Sequence, residues 1–139
     1  MKESILFFLT LITIIYGCST KEVEGFNMNR LHDIWALESI AGEKIIIDEN
    51  VKNLPVLEIY VKEERVHGNT SCNTIDGKVE IDKNNVTFSD IITTEMACPC
   101  DIEPRFLSAL SKVNNYKIEK LKLYLYEDDR EIMIFQKID

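Results

Sequence analysis

The sequence predicts a mainly β protein: a small antiparallel β-barrel, or rolled sheet, with one α-helix. Three observations carry this. From Leu31 onward, short runs rich in branched and aromatic residues alternate with charged or Asn/Asp/Gly turns. Within the runs apolar and polar residues alternate, as in Val79, Ile81, Val86 and Phe88, the pattern of a sheet with one buried face. A single stretch has helical spacing instead, with Phe106, Leu107, Leu110 and Val113 on one side.

In order, Ile34–Glu38 is the first predicted strand, and Ala41-Gly42-Glu43 turns the chain into a second over Lys44-Ile45-Ile46-Ile47. Pro55 to Val61 and Arg65 to Asn69 follow, separated by a charged turn. Asp76-Gly77 reads as a tight-turn pair. Lys78–Ile81 and Val86–Ser89 flank a hairpin loop, Asp82-Lys83-Asn84-Asn85. The helix spans Ile102–Val113, with Asp101 as its cap, Pro104 tolerated in the first turn and Asn114-Asn115 stopping it. Tyr116–Ile118 and Lys120–Tyr126 come next, the latter with Leu121, Leu123 and Leu125 sharing a face. The turn Glu127–Arg130 leads to the last strand, Glu131–Lys137. Rolling such strands into a barrel removes exposed edges, and the helix would plug or cover one end.

The start of the chain sets the expected compartment. Residues 1–17, MKESILFFLTLITIIYG, have the length and apolar core of a signal peptide and are too short to span a bilayer, which takes ~20 apolar residues. Ile15-Tyr16-Gly17-Cys18 resembles a bacterial lipobox. That resemblance implies a diacylglyceryl thioether on Cys18, cleavage before it and acylation of the new amine. Two or three chains make such an anchor durable where one does not. Residues 18–30 read as a polar, flexible tether, and 31–139 as the domain. The expected location is the bacterial cell envelope, lipid-anchored, at the outer membrane on either face.

About 120 residues remain after the leader, enough for one domain with one core. The net charge of −8 argues against nucleic acid and against anionic lipid headgroups as partners. It leaves the lipid anchor as the expected link to the membrane. Three cysteines besides Cys18 occur, Cys72, Cys98 and Cys100, so at most one intramolecular pair forms and one thiol is left over.

Several stretches together resemble the META domain (HslJ-like) family: IWALESIAGE, VHGNTSCN, IDGKVEIDKNNVTFS, TTEMAC, EPRFLSALSKVNNYKI and LKLYLYEDDREIMIFQK. TTEMAC with the upstream SCN is the most specific part. Ser71 departs from the pattern by standing where the family has glycine. The resemblance implies a small antiparallel barrel with one helix, an envelope lipoprotein linked to stress or secretion, and no shared catalytic residues. It also implies a Cys72–Cys98 disulfide, because both occupy the family's cysteine positions, with Cys72–Cys100 as the rival pairing. Such a bond would close a loop of ~27 residues, worth ~3 kcal/mol in the chain-entropy picture.

Other chemistry is thinly represented. Met96, Cys98, Cys100, Cys72 and His67 form a soft set, yet Cys-x-Cys stiffened by Pro99 lacks the spacing of structural zinc, so no metal or other cofactor is expected. Glu95 and Asp101 oppose the low-pKa thiol that redox exchange needs. Neither His32 nor His67 sits in a catalytic motif, and no nucleophile elbow, phosphate loop or HExxH occurs, so no enzymatic activity and no catalytic residue is expected.

The stretch Thr94-Glu95-Met96-Ala97-Cys98-Pro99-Cys100 reads as an extended, proline-stiffened loop able to bind a protein partner. In size, lipobox and build the chain resembles potempin-type protease-inhibitor lipoproteins, which implies a protease as that partner. The alternatives are a structural or stress-linked envelope lipoprotein and a carrier of a small ligand or metal.

Overall fold

The computed structural model describes residues 27–51 and 53–139. The signal peptide expected over 1–17, the lipidation site Cys18 and the tether as far as residue 26 lie outside the described residues.

The chain enters through a short 3-10 turn, Met28–Leu31, capped by the Asn27 side chain, which accepts from the Asn29 amide at 3.1 Å. Leu31, the first residue of the expected domain, is fully buried, and the 3-10 turn that leads to it takes in residues 28–30 of the expected tether. The Leu31 carbonyl accepts from the Trp35 indole N–H at 3.1 Å, which satisfies the one polar atom of a ring that is 1% exposed.

Nine strands follow: β1 (Ile34–Ile40), β2 (Glu43–Lys44), β3 (Val56–Tyr60), β4 (Arg65–Asn69), β5 (Thr74–Asp82), β6 (Asn85–Thr93), β7 (Asn115–Glu119), β8 (Lys122–Glu127) and β9 (Arg130–Lys137). The one α-helix among the described residues, α1 (Ile102–Leu110), lies between β6 and β7. All strand pairs are antiparallel neighbours, and β9 returns to β1, with Trp35 opposite Lys137 and Ile40 opposite Met133. The predicted mainly β rolled sheet with one helix is therefore the fold, and it closes as a ring. The thinnest seam is β6–β7, paired only at Asn85 and Asn115. The crossover that carries α1 spans this seam.

Alternation fills the interior. Val66, Ile75, Val79, Val86, Leu123, Leu125 and Phe135 point inward from their strands. From the helix come Ile102, Phe106 and Leu110, with Phe106 edge-on to Phe135 at 6.3 Å between centroids. Each such side chain stabilises the fold by roughly 1.5–3 kcal/mol relative to exposure.

Four local expectations are corrected. The second strand is only Glu43–Lys44, and Ile46 and Ile47 are exposed. The reason is edge capacity: Ile34–Ala36 of β1 already pair with β3, which leaves Ser39 and Ile40 for β2. Asp76-Gly77 is not a turn but lies inside β5 at a register shift against β6. A Cβ on Gly77 would stand 2.4 Å from Ile91 Cδ1 and 2.9 Å from Ser89 O, so crowding at the bulge explains the glycine. Leu123 and Leu125 share a buried face, but Leu121 sits in the β7–β8 turn and is exposed. Asp101 makes no side-chain cap; its carboxylate faces Arg105 at 3.8 Å, and α1 ends at Leu110.

Antiparallel order fixes which loops share an end. The chain enters β1 at the same end as the β3–β4, β5–β6 and β7–β8 turns and the exit of β9. The β4–β5 turn and the segment leaving β6 lie at the opposite end.

Candidate functional site

At that far end the β4–β5 connection, Thr70–Asn73, is a tight turn. The Thr70 amide donates to Asn73 O (2.8 Å) and the Asn73 amide to Thr70 Oγ1 (3.1 Å). The Ser71 amide donates to Asn69 Oδ1 (3.0 Å), and Ser71 itself has φ +83°. This is the left-handed region, where glycine is at ease and serine is not, so the departure from the family's glycine has a backbone cost.

The turn directs Asn73 inward, 1% exposed, beneath the segment that leaves β6. Thr94 extends the β5–β6 ladder by one step: its amide donates to Thr74 O (3.1 Å) and its hydroxyl oxygen accepts from the Thr74 amide (3.1 Å). Beyond it the Asn73 side chain takes over as the neighbouring strand. Its Oδ1 accepts from the Met96 amide (2.8 Å) and from the Thr94 hydroxyl (2.8 Å). Its Nδ2 donates to Met96 O (3.1 Å) and to Glu103 Oε1 (3.0 Å), with Cys98 Sγ at 3.5 Å. The other Glu103 oxygen accepts from the Thr70 hydroxyl. One buried amide thus joins the turn, the loop and the first turn of α1, where an acidic residue also suits the helix dipole.

A disulfide completes the clamp. Cys72 is bonded to Cys98, with 6.0 Å between their Cα atoms and 26 residues of separation. Of the two pairings left open by the sequence, this is the one the structure contains. Cys100 is a free, half-buried thiol packed against the core.

The predicted loop residues are therefore held from one side and open on the other. Glu95, Ala97 and Pro99 are exposed, and Met96 is 59% exposed although both polar atoms of its backbone are engaged. Ile92, at the end of β6, is 69% exposed near the same rim. The sequence reading named the loop and its cysteines but assigned no role to Thr70, Asn73 or Glu103. The available signal was the asparagine following Cys72, a residue able to imitate a backbone amide on both its faces.

The remaining weighed residues lie in other settings. His67 Nδ1 is 3.2 Å from Asp76, which also receives the Arg65 guanidinium. That hydrogen bond from Arg65, helped by His67 and opposed by desolvation, holds the Asp76 carboxyl below its ordinary range. His32 Nδ1 accepts from the Val61 amide (3.3 Å), and its ring meets Tyr60 edge-on at 5.7 Å. Among the described residues no three His, Cys, Asp or Glu side chains converge as a metal site, and no helix is long and apolar enough to cross a membrane.

Comparison with known proteins agrees with the architecture. A solution structure of a protein from Burkholderia xenovorans is similar with a TM-score of 0.64 at 19% identity, over 81% of this chain and 89% of that one. A second solution structure gives 0.60 at 18% identity, covering 76% of this chain and 89% of the other. The crystal structure of a DUF4847 family protein from Bacteroides vulgatus gives 0.56 at 14% identity, over 78% and 95%. At these identities the likeness is one of fold. No curated protein matches the chain. The META domain matches residues 29–139, the whole ring together with its clamped loop, and the chain belongs to the META domain family.

Proposed function

We propose that this chain is a lipid-anchored protein of the bacterial cell envelope that acts without catalysis. Its ring presents the Thr94–Cys100 loop to a protein partner, most concretely a secreted or envelope protease that it inhibits. The observation that carries the reading is the double hold on Met96, whose amide and carbonyl both bond Asn73 while its side chain faces solvent.

A protease cleft binds extended backbone by strand-like hydrogen bonds and seats side chains in pockets. A loop held in advance avoids ordering costs of roughly 1–2 kcal/mol per residue. The Cys72–Cys98 bond and the Asn73 contacts also keep the loop in register if it is nicked, which favours occupancy of the cleft over turnover. The interior of the ring is occupied by Trp35, Phe106 and Phe135, which directs recognition to the rim.

The test is a titration of serine, cysteine and metalloproteases from the same cells with the intact chain. Saturable inhibition of at least one enzyme is expected, weakened at least tenfold by Met96→Asp. Absence of inhibition at micromolar chain across the panel would remove the protease reading.

A further inference from the structure

The end of the ring opposite the loop has a chemistry of its own. Three contacts gather it. The Lys137 amide donates to Leu121 O (2.8 Å), the Ile138 amide to Ile34 O (3.1 Å) and Arg30 Nη2 to Lys120 O (3.3 Å). They bring the β7–β8 turn, the exit of β9 and the entering 3-10 turn into one patch. On that patch Leu121 is 58% exposed, Ile138 56% and Met28 42%.

The carboxylates Asp33, Glu38 and Glu119 at this end are each paired with a lysine, Lys137, Lys122 and Lys117 respectively. Lys120 stands beside Leu121, and its carbonyl receives the Arg30 guanidinium.

We propose that this end is the membrane seat. Met28, Leu121 and Ile138 rest in the interfacial layer of a phospholipid surface, with Lys120 at headgroup level. The occupant follows from where the chain comes in. Eight residues lie between Cys18 and Asn27, a reach of at most ~30 Å, and they join the domain at this end. An acylated Cys18 therefore tethers the domain to the bilayer from this end. Apolar side chains with a neighbouring lysine suit that layer. Seated this way, the Thr94–Cys100 loop faces away from the bilayer. The inference rests on the acylation of Cys18 and is independent of what the loop binds.

The experiment uses the full acylated chain in phosphatidylethanolamine–phosphatidylglycerol vesicles with brominated acyl chains, which quench tryptophan at the interface. Leu121→Trp and Met96→Trp are compared after subtraction of the parent signal from Trp35, which is 1% exposed. Emission of the Leu121→Trp chain is expected to fall by at least a third relative to unbrominated vesicles, and that of the Met96→Trp chain to stay constant. Equal quenching of the two, or none at position 121 in vesicle-bound chain, overturns the seat. Intact mass of the same preparation separates the failures. An unmodified Cys18 removes both anchor and seat, whereas an acylated chain with an unquenched Leu121→Trp removes the seat alone.

Discussion

Replacing Asn73 by alanine removes the centre of the clamp with little change in volume. The side chain supplies two acceptor contacts, to the Met96 amide and the Thr94 hydroxyl, and two donor contacts, to Met96 O and Glu103. The loop partners are near solvent and regain water, so each lost bond is worth about 0.5–1 kcal/mol. The Glu103 contact is charge-assisted and half-buried, about 1.5–2 kcal/mol, because Thr70 still donates to the other oxygen. The expected loss is therefore about 3–5 kcal/mol, a large share of the ~5–15 kcal/mol that stabilises a domain. With a urea slope of about 1.5 kcal/mol/M, the midpoint of unfolding falls by about 2–3 M. The Met96 amide, bonded to Asn73 in the parent, should exchange with solvent far faster. Asn73→Asp keeps the acceptor contacts but sets a carboxylate against Met96 O and Glu103. It is expected to be at least as unstable at pH 7 and to recover part of the loss in mild acid. A change below 0.5 kcal/mol with an unaltered Met96 amide would refute the clamp.

Other perturbations follow from the same structure. Ser71→Gly relieves the φ of +83° and is expected to raise stability by about 1 kcal/mol, read as an increase in urea midpoint. Reduction of the Cys72–Cys98 bond, or replacement of both residues by serine, should remove about 3 kcal/mol while leaving far-UV circular dichroism unchanged below the new transition. Gly68→Ala would place a Cβ 1.9 Å from Val56 O across the β3–β4 pair, and a loss of more than about 2 kcal/mol is expected in thermal or urea unfolding. Asp76 has a folded carboxyl pKa lowered chiefly by Arg65, so its contribution is present above the unfolded value and is lost as pH falls through the folded one. Acid unfolding of Asp76→Asn should lack that part of the slope below about pH 4, measured against the parent by fluorescence.

How much of this was legible in the sequence varies with the range of the contacts involved. Strands whose partner is the next strand were readable from alternation alone, as with Val79, Val86 and Phe88. Ring closure between β1 and β9 was inferred only as a means of hiding edges, since no local signal pairs Trp35 with Lys137. Lys44–Ile47 has every strand propensity, but β3 occupies the edge of β1 it would need. Asp76-Gly77 imitates a hairpin turn because a glycine required by crowding at a bulge looks the same as one required by positive φ. At the site, the cysteines and the exposed loop were visible as residue types. The inward hold by Asn73 was not, because it depends on residues 23 and 30 positions away meeting one amide.

The central claim is that the Thr94–Cys100 loop is the face this protein offers to another protein. The most direct measurement places a photoreactive residue at position 96, and separately at position 121, of the full-length chain in its own cells. Irradiation at position 96 is predicted to give a discrete protein adduct that disappears in the Asn73→Ala background, while position 121 gives lipid adducts. Protein adducts at 121 with none at 96 would contradict the account.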